Sequence, residues 1–294
     1  PTPEQAAAQT AERERQARLA DSPGTGPFPA MKEEVSSLPK HVIYRPAKLD
    51  AMGATKLGVY VFGNGACSDD AASSRLHLLE IASHGYLVIA PGRIRTGPGA
   101  TAPVPQGSPQ LRNSAPELTK ALDWALAQNA DPSSPYRGRI DPKALAVSGY
   151  SCGGAQAMKV AADPRWKTLI MMNSGLLNQQ LTVSLADMDA SKDLLATVHT
   201  PVLYTLGGES DVAWVNAMDD FKRLERVPVF IADLKGVGHG GTYWEPNGGK
   251  AAQVVVAWLQ WQLRGDEKAA RLFTGKSCGL CQNSAWTVHR KKIS

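Results

Sequence analysis

The sequence has 294 residues, with 32 Lys and Arg against 27 Asp and Glu, which gives a formal net charge of +5. Hydrophobic residues make up 43% and charged residues 20%, a composition typical of a globular protein with a sizeable core and not of a disordered chain. The basic residues are dispersed apart from a cluster at 289–292, so the excess charge predicts a solvated surface and no nucleic-acid partner. No apolar run reaches the roughly 18 residues that a bilayer span needs, which predicts no membrane insertion.

The first part of the chain is polar. Residues 3–20 are rich in Ala, Glu, Gln and Arg and predict a surface helix, which the Pro- and Gly-containing stretch 21–27 ends. We therefore assign residues 1–40 to an N-terminal extension made of a polar helix and a loop.

From residue 41 onward, strand and helix patterns alternate. The apolar runs predict strands at 41–44, 57–62, 86–90, 144–147, 168–172, 202–206 and 227–231. The helical patterns cover residues 71–84, 115–129, 154–162 and 250–263. Pro228 near its start predicts that the last of these strands is an edge strand.

This alternation predicts one α/β domain over residues 41–273, with a mostly parallel sheet and helices on both faces. Only residues 173–200 separate two successive strands where a cap would be inserted, so no large cap domain is expected. Residues 274–294 are assigned to a C-terminal tail that contains a C-x-x-C pair. No feature of the sequence indicates an oligomeric state.

A strand pattern runs directly into residues 149–154, GYSCGG, and a helix pattern follows. G-x-S-x-G between a strand and a helix is the arrangement that exposes a nucleophilic serine on a strained turn. Gly149 and Gly153 suit it because side chains there would collide with the neighbouring strand and helix. Ser151 is therefore the predicted nucleophile, the alternative being a glycine-rich turn with an incidental serine.

A serine nucleophile needs a base and an acid that orients the base. In this architecture both follow the serine along the chain, and the acid comes before the base. Asp211 lies on an acidic turn after the strand at 202–206, and His239 lies in a glycine-rich loop after the strand at 227–231. We predict Asp211 as the acid and His239 as the base, with Glu209 as an alternative acid. The remaining histidines are interpreted as surface or packing residues: His41, His77, His84, His199 and His289.

The loop after the strand at 57–62 reads GNGACSD over residues 63–69. Related folds place an oxyanion-binding N–H group in this loop, and the residue after the nucleophile supplies a second. The predicted donors are the backbone N–H groups of Ala66 and Cys152, with Asn64 in the position of a more usual His. An ordinary Asn-Gly turn is the alternative for this loop.

These motifs resemble the α/β-hydrolase superfamily over residues 41–273, and most closely the lidless esterases of the dienelactone-hydrolase, cutinase and polyester-hydrolase type. The resemblance implies a serine esterase that works through an acyl-enzyme intermediate without a cofactor, with Ser151 as nucleophile, Asp211 as acid and His239 as base. The cysteines and residues 241–249 depart from the familiar cutinases. A peptidase or acyltransferase with the same triad, or a non-catalytic binding protein of this fold, are the alternatives.

The four cysteines fall into two pairs. Cys67 and Cys152 each adjoin a predicted oxyanion donor, and two loops that share an oxyanion lie close enough for a disulfide. Cys278 and Cys281 form a lone C-x-x-C, for which a disulfide is expected and a metal site is not, because no second ligand pair is present. Two disulfides predict a secreted or periplasmic protein whose signal peptide has been removed, the alternative being four reduced thiols.

The shape of the site follows from the short segment between the strands at 168–172 and 202–206, which predicts an open cleft. Tyr150, Trp214 and Trp244 lie next to the predicted nucleophile, acid and base and are the candidates to line it. Core packing is the alternative for the two tryptophans. An open cleft with an aromatic rim suits bulky, aromatic or polymeric esters as substrates.

Overall fold

A computed structural model describes residues 3–103, 111–179 and 186–294 of the chain. Residues 104–110 and 180–185, which belong to two of the loops expected from the sequence, lie outside the described residues.

The elements alternate along the chain as the sequence predicts. The strands are β1 (Ala30–Glu34), β2 (His41–Pro46), β3 (Leu57–Gly63), β4 (Tyr86–Pro91), β5 (Ile140–Tyr150), β6 (Thr168–Met172), β7 (Val202–Leu206), β8 (Val229–Leu234) and β9 (Trp286–Lys291). The helices are α1 (Pro3–Arg18), α2 (Arg75–Ser83), α3 (Pro116–Ala130), α4 (Cys152–Val160), α5 (Trp214–Arg223), α6 (Gly249–Arg264), α7 (Glu267–Ala270) and α8 (Gly279–Gln282).

The nine strands form one sheet in the order β1-β2-β4-β3-β5-β6-β7-β8-β9. The six strands from β4 through β8 in this order pair in parallel, and β1, β2 and β9 pair antiparallel at the two ends. The carboxyl ends of the parallel strands therefore share one edge of the sheet, where α/β proteins hold their functional loops. The expected single α/β domain with a mostly parallel sheet is confirmed.

Two apolar cores cover the two faces of the sheet. In β3, Val59 and Val61 face one core and Tyr60 and Phe62 face the other, as the two-residue period of a strand requires. Helices α3, α4 and α5 pack into the first core, and α2 and α6 pack into the second. Burial on both faces explains why the central strands are continuous apolar runs.

The two ends of the sheet differ from the sequence prediction. Residues assigned to the N-terminal extension form β1, and residues assigned to the C-terminal tail form β9, which pairs with β8. The strand predicted at 227–231 is therefore neither the last strand nor an edge strand. Pro228 lies just before β8 begins at Val229, so its missing N–H group costs the sheet no hydrogen bond.

None of the helices in the described ranges is both long and apolar enough to cross a membrane.

Candidate active site

Ser151 lies on a sharp turn between β5 and α4. Its φ of 53° is in a region that side chains rarely adopt, and Gly149 and Gly153 make the turn possible by close backbone approach. A Cβ atom at Gly149 would lie 2.0 Å from the carbonyl oxygen of Gly153, and one at Gly153 would lie 2.0 Å from that of Gly63. The turn therefore packs between β3, β5 and α4 in a way that only glycine allows at these two positions.

The three residues predicted as nucleophile, base and acid lie within hydrogen-bond distance of one another. His239 Nε2 is 3.0 Å from Ser151 Oγ, and His239 Nδ1 is 2.7 Å from Asp211 Oδ1. Because a carboxylate only accepts hydrogen bonds, Nδ1 donates to Asp211, which leaves Nε2 as the acceptor for the serine hydroxyl. In this tautomer the imidazole can take up the serine proton.

The carboxylate of Asp211 is buried, with 2% of the residue exposed. Burial raises the pKa of Asp211, but hydrogen bonds from His239, the Ala213 N–H group and Asn173 outweigh it and hold that pKa below its usual value. Asp211 is therefore ionised at neutral pH and can stabilise a protonated imidazole. Glu209, the alternative acid, is exposed to solvent and is not among the hydrogen-bond partners of His239.

The two predicted oxyanion donors lie on loops that a disulfide joins. Cys67 and Cys152 form the expected bond, with their Cα atoms 5.2 Å apart, and Cys278 and Cys281 form the other expected bond. Within the described residues, the backbone N–H groups of Ala66 and Cys152 donate no hydrogen bond. Ala66 lines the same cleft as Ser151, and unpartnered N–H groups directed at a developing oxyanion stabilise it, so these two groups remain the predicted donors.

Asn64 holds the loop of Ala66 in place. It is 1% exposed, and its Nδ2 donates to the carbonyl oxygens of Ser68 at 2.8 Å and Pro91 at 2.7 Å. These bonds tie the turn to the end of β4. The turn takes a left-handed backbone at Ala66, with φ of 55°.

A cleft of about 600 Å³ opens at the serine. Its wall includes Ser151 and His239 together with Ala66, Leu111, Tyr150 and Trp244. Tyr150 and Trp244 thus both lie on the wall of this cleft. Tyr150 is also tied to the base, because its hydroxyl donates to the carbonyl oxygen of His239 at 2.9 Å.

Trp214 is not among the residues that line this cleft in the described part of the chain. Its indole Nε1 donates to Asp233 Oδ2 at 2.9 Å, and its ring packs against the core on the α5 side of the sheet. Asp233 also accepts from the N–H group of Gly208, so this carboxylate fixes the start of the acidic loop. Trp214 is therefore linked through Asp233 to the start of the loop that carries Asp211.

A wall of the cleft that the sequence did not indicate comes from the end of α1, through Gln16 and Ala17. Arg75, only 1% exposed, donates to the carbonyl oxygens of Gln16 and Leu19 and pairs with Asp21 at 2.9 Å. An arginine that caps the last turn of a helix satisfies its free carbonyl groups. The sequence does not indicate this contact, because Arg75 and α1 are far apart along the chain.

In the described part of the chain, no group of three or more His, Cys, Asp or Glu side chains is arranged to hold a metal ion.

The sheet, the serine turn and the hydrogen-bonded Ser151, His239 and Asp211 together define an α/β-hydrolase with a serine at the nucleophile position. A family model described as "PET hydrolase-like" (PETase) matches residues 14–271, and the chain belongs to this family.

Several cutinases are similar to the chain. Cutinase est1 of Thermobifida alba is 30% identical over 65% of this chain and 62% of its own length. Cutinase 1 of Thermobifida cellulosilytica is 31% identical over 60% of this chain and 63% of its own length. The cutinase of Thermobifida fusca (strain YX) is 31% identical over 60% of this chain and 55% of its own length. The chain thus matches between 55% and 63% of the length of these curated relatives.

Proposed function

We propose that the protein is a serine hydrolase that cleaves carboxylic esters through an acyl-enzyme intermediate. The observation that carries the proposal is the hydrogen-bonded series Ser151 Oγ, His239 Nε2, His239 Nδ1 and Asp211 Oδ1 at the base of the cleft. The family and the cutinase names of its relatives support the same reaction class.

In the first half of the proposed reaction, His239 Nε2 takes the Ser151 proton and Oγ attacks the ester carbonyl carbon. The carbonyl oxygen becomes an oxyanion, which the N–H groups of Ala66 and Cys152 bind. The tetrahedral intermediate then collapses, and His239 returns the proton to the leaving alcohol. Asp211 stays ionised and stabilises the imidazolium in between.

In the second half, His239 removes a proton from a water molecule that attacks the acyl-enzyme carbonyl. The same two N–H groups bind the second oxyanion, and the proton passes from His239 to Ser151 Oγ as the acid leaves. Removal of one such oxyanion donor typically lowers kcat by about 10² to 10³-fold, so both N–H groups are integral to the proposal.

For the substrate, we propose bulky, aromatic or polymeric esters. The support is the open cleft of about 600 Å³, with Leu111, Tyr150 and Trp244 on its wall and Leu111 53% exposed. Apolar and aromatic side chains on an accessible wall can bind the apolar segments of such an ester. The cutinase and PET hydrolase-like matches support this substrate class.

For the location, we propose a compartment outside the cytoplasm, because the chain carries two disulfides and disulfides persist in oxidising compartments. Ready alkylation of all four cysteines without reductant in freshly isolated protein would contradict this location.

The direct test compares the wild-type protein with Ser151→Ala on short p-nitrophenyl esters, aromatic diesters and long-chain lipid esters. We expect Ser151→Ala to lower kcat by at least about 10³-fold, because the nucleophile and its proton are both lost. Unchanged hydrolysis by Ser151→Ala would refute the reaction, and a strong preference for long-chain lipids would refute only the substrate class.

A further inference from the structure

Asn173 is a buried polar residue beside the proposed triad that no motif of the sequence marks. It follows β6, is 2% exposed and has a φ of 42°, in the left-handed region where Asn is among the better tolerated residues. Its backbone N–H group donates to the carbonyl oxygen of Thr205 at 2.7 Å. The residue is therefore held firmly between the carboxyl ends of β6 and β7.

The side-chain amide of Asn173 links Asp211 to Tyr243. Nδ2 donates at 2.8 Å to Asp211 Oδ2, the carboxylate oxygen that does not bond to His239. The hydroxyl of Tyr243, which is fully buried, donates to Asn173 Oδ1 at 2.7 Å. Because Asp211 only accepts hydrogen bonds, these two contacts fix which end of the amide faces the carboxylate.

These contacts form part of a closed series that also includes Tyr150 and His239. The ring of Tyr243 lies 4.4 Å from that of Tyr150, whose hydroxyl donates to the carbonyl oxygen of His239. Asp211 is thus linked to Tyr243 through Asn173, and His239 is bonded to Tyr150 directly. Asn173 is the member of this arrangement that contacts Asp211 directly.

We propose that Asn173 is a positioning residue that holds the carboxylate of Asp211 in the orientation in which it accepts from His239 Nδ1. The proposal rests on the proposed function, since it assigns a role only if the triad is catalytic. Neither Asn173 nor Tyr243 lines the cleft among the described residues, so the role acts on the reaction step and not on substrate binding.

Loss of the amide has two consequences. The carboxylate gains freedom to rotate away from His239, and its charge is less neutralised by hydrogen bonds. Rotation of the carboxylate weakens its attraction for a protonated imidazole, and loss of the neutralising hydrogen bond strengthens that attraction. Either effect changes the pH at which the Asp211–His239 pair takes up a proton, so the acidic limb of the kcat/KM profile shifts.

The experiment measures kcat and KM against pH for Asn173→Ala and Asn173→Asp. For Asn173→Ala we expect kcat to fall between about 10-fold and about 10²-fold with KM unchanged, and the acidic limb of the kcat/KM profile to shift in pH. Asn173→Asp is almost isosteric, but it can donate to Asp211 only while protonated, because two adjacent carboxylates do not both ionise readily. That variant should show a new loss of activity on the alkaline side.

Tyr44→Phe is the matched control, because it also removes a buried hydroxyl donor, here to the carbonyl oxygen of Ala71, away from the triad. It should leave the pH profile unchanged. Wild-type profiles in both Asn173 variants, or losses of activity that follow thermal stability without a change in profile, would overturn the positioning role. If Ser151→Ala kept its activity, the proposed function itself would fail, which is a separate outcome.

Discussion

Residues in strained backbone conformations gather at the proposed site. Ala66, Ser151 and Asn173 have φ values of 55°, 53° and 42°, in a region that side chains rarely adopt. Each such residue costs about 1 to 3 kcal/mol unless its surroundings impose the conformation. Here the conformation is imposed by close packing at Gly149 and Gly153 and by the hydrogen bonds of Asn64 and Asn173. The interactions that stabilise the fold therefore also hold the proposed reacting groups in position.

The sequence indicates only part of this residue-scale arrangement. Ser151 is predictable because G-x-S-x-G describes its strained turn locally. Asn173 is not, because its role depends on Asp211 and Tyr243, which are distant along the chain. The direction of the Trp214 indole is likewise not predictable from the sequence, because it depends on a hydrogen bond to Asp233 on β8.

Asp220 makes stability depend on pH. This carboxyl lies on α5, is fully buried and accepts hydrogen bonds from Lys192, the Leu176 N–H group and Tyr204. Burial raises the pKa of Asp220 from 3.8 to about 6, against the opposing effect of Lys192. A carboxyl whose folded pKa is raised stabilises the protein below the unfolded pKa, and this contribution is lost as the pH rises through the folded pKa.

We therefore expect the stability of the wild-type protein, relative to Asp220→Asn, to decline between the ordinary pKa of 3.8 and the raised value of about 6. Denaturant unfolding of both proteins at several pH values measures this difference. Asp193→Asn, which removes an exposed carboxyl, is the control and should show no such decline. A constant difference between wild type and Asp220→Asn over this range would contradict the prediction.

Among the elements, the two segments that carry the proposed oxyanion donors are joined covalently. The disulfide between Cys67 and Cys152 links the loop after β3 to the first residue of α4 across 85 residues of sequence, whereas the other disulfide spans only 3. In the chain-entropy account, closing the longer loop stabilises by about 4 to 5 kcal/mol and the shorter one by about 1 to 2 kcal/mol.

Replacement of Cys67 and Cys152 together by Ser should therefore reduce both stability and turnover. We expect kcat to fall between about 10-fold and about 10²-fold, because the donors at Ala66 and Cys152 lose their fixed separation. Kinetic assays and thermal unfolding measure the two effects. The control replaces Cys278 and Cys281 by Ser and should keep wild-type turnover, and equal losses in both variants would show that the first disulfide has no special role at the site.

Helix α1 illustrates how an element can be predicted correctly while its role is missed. Its polar composition indicates a surface helix, and the structure has one. Its end nevertheless forms part of the cleft wall, because Arg75 on α2 caps it. A buried arginine that meets backbone carbonyl groups leaves no periodic signal in the sequence.

At the scale of the whole molecule, the central strands of the sheet are easier to predict from the sequence than the strands at its two ends. The parallel strands β3 to β8 are apolar on both faces, and their continuous apolar runs predict them well. Strands β1 and β9 carry the charged sequences AMKEE and WTVHRK, typical of edges that avoid pairing with other chains. Such strands form because the backbone of a neighbouring strand offers hydrogen-bond partners. The amino-acid composition of the edge strand does not indicate that neighbour.

The same architecture gathers distant residues at one edge. Ala66 follows β3, Ser151 follows β5, Asp211 follows β7 and His239 follows β8, all at the carboxyl ends of parallel strands. The order of these residues along the chain, each after a predicted strand, is what predicts them as a set. The hydrogen bonds among Ser151, His239 and Asp211 required the structure.

The central claim is that Ser151 is a nucleophile that forms a covalent acyl-enzyme, and a fluorophosphonate probe tests it most directly. Intact mass spectrometry followed by peptide mapping should find one probe adduct per chain, located on Ser151, and no adduct in Ser151→Ala. His239→Ala should react far more slowly, since the serine then lacks its base. Labelling that persists in Ser151→Ala, or that maps to another residue, would contradict the account.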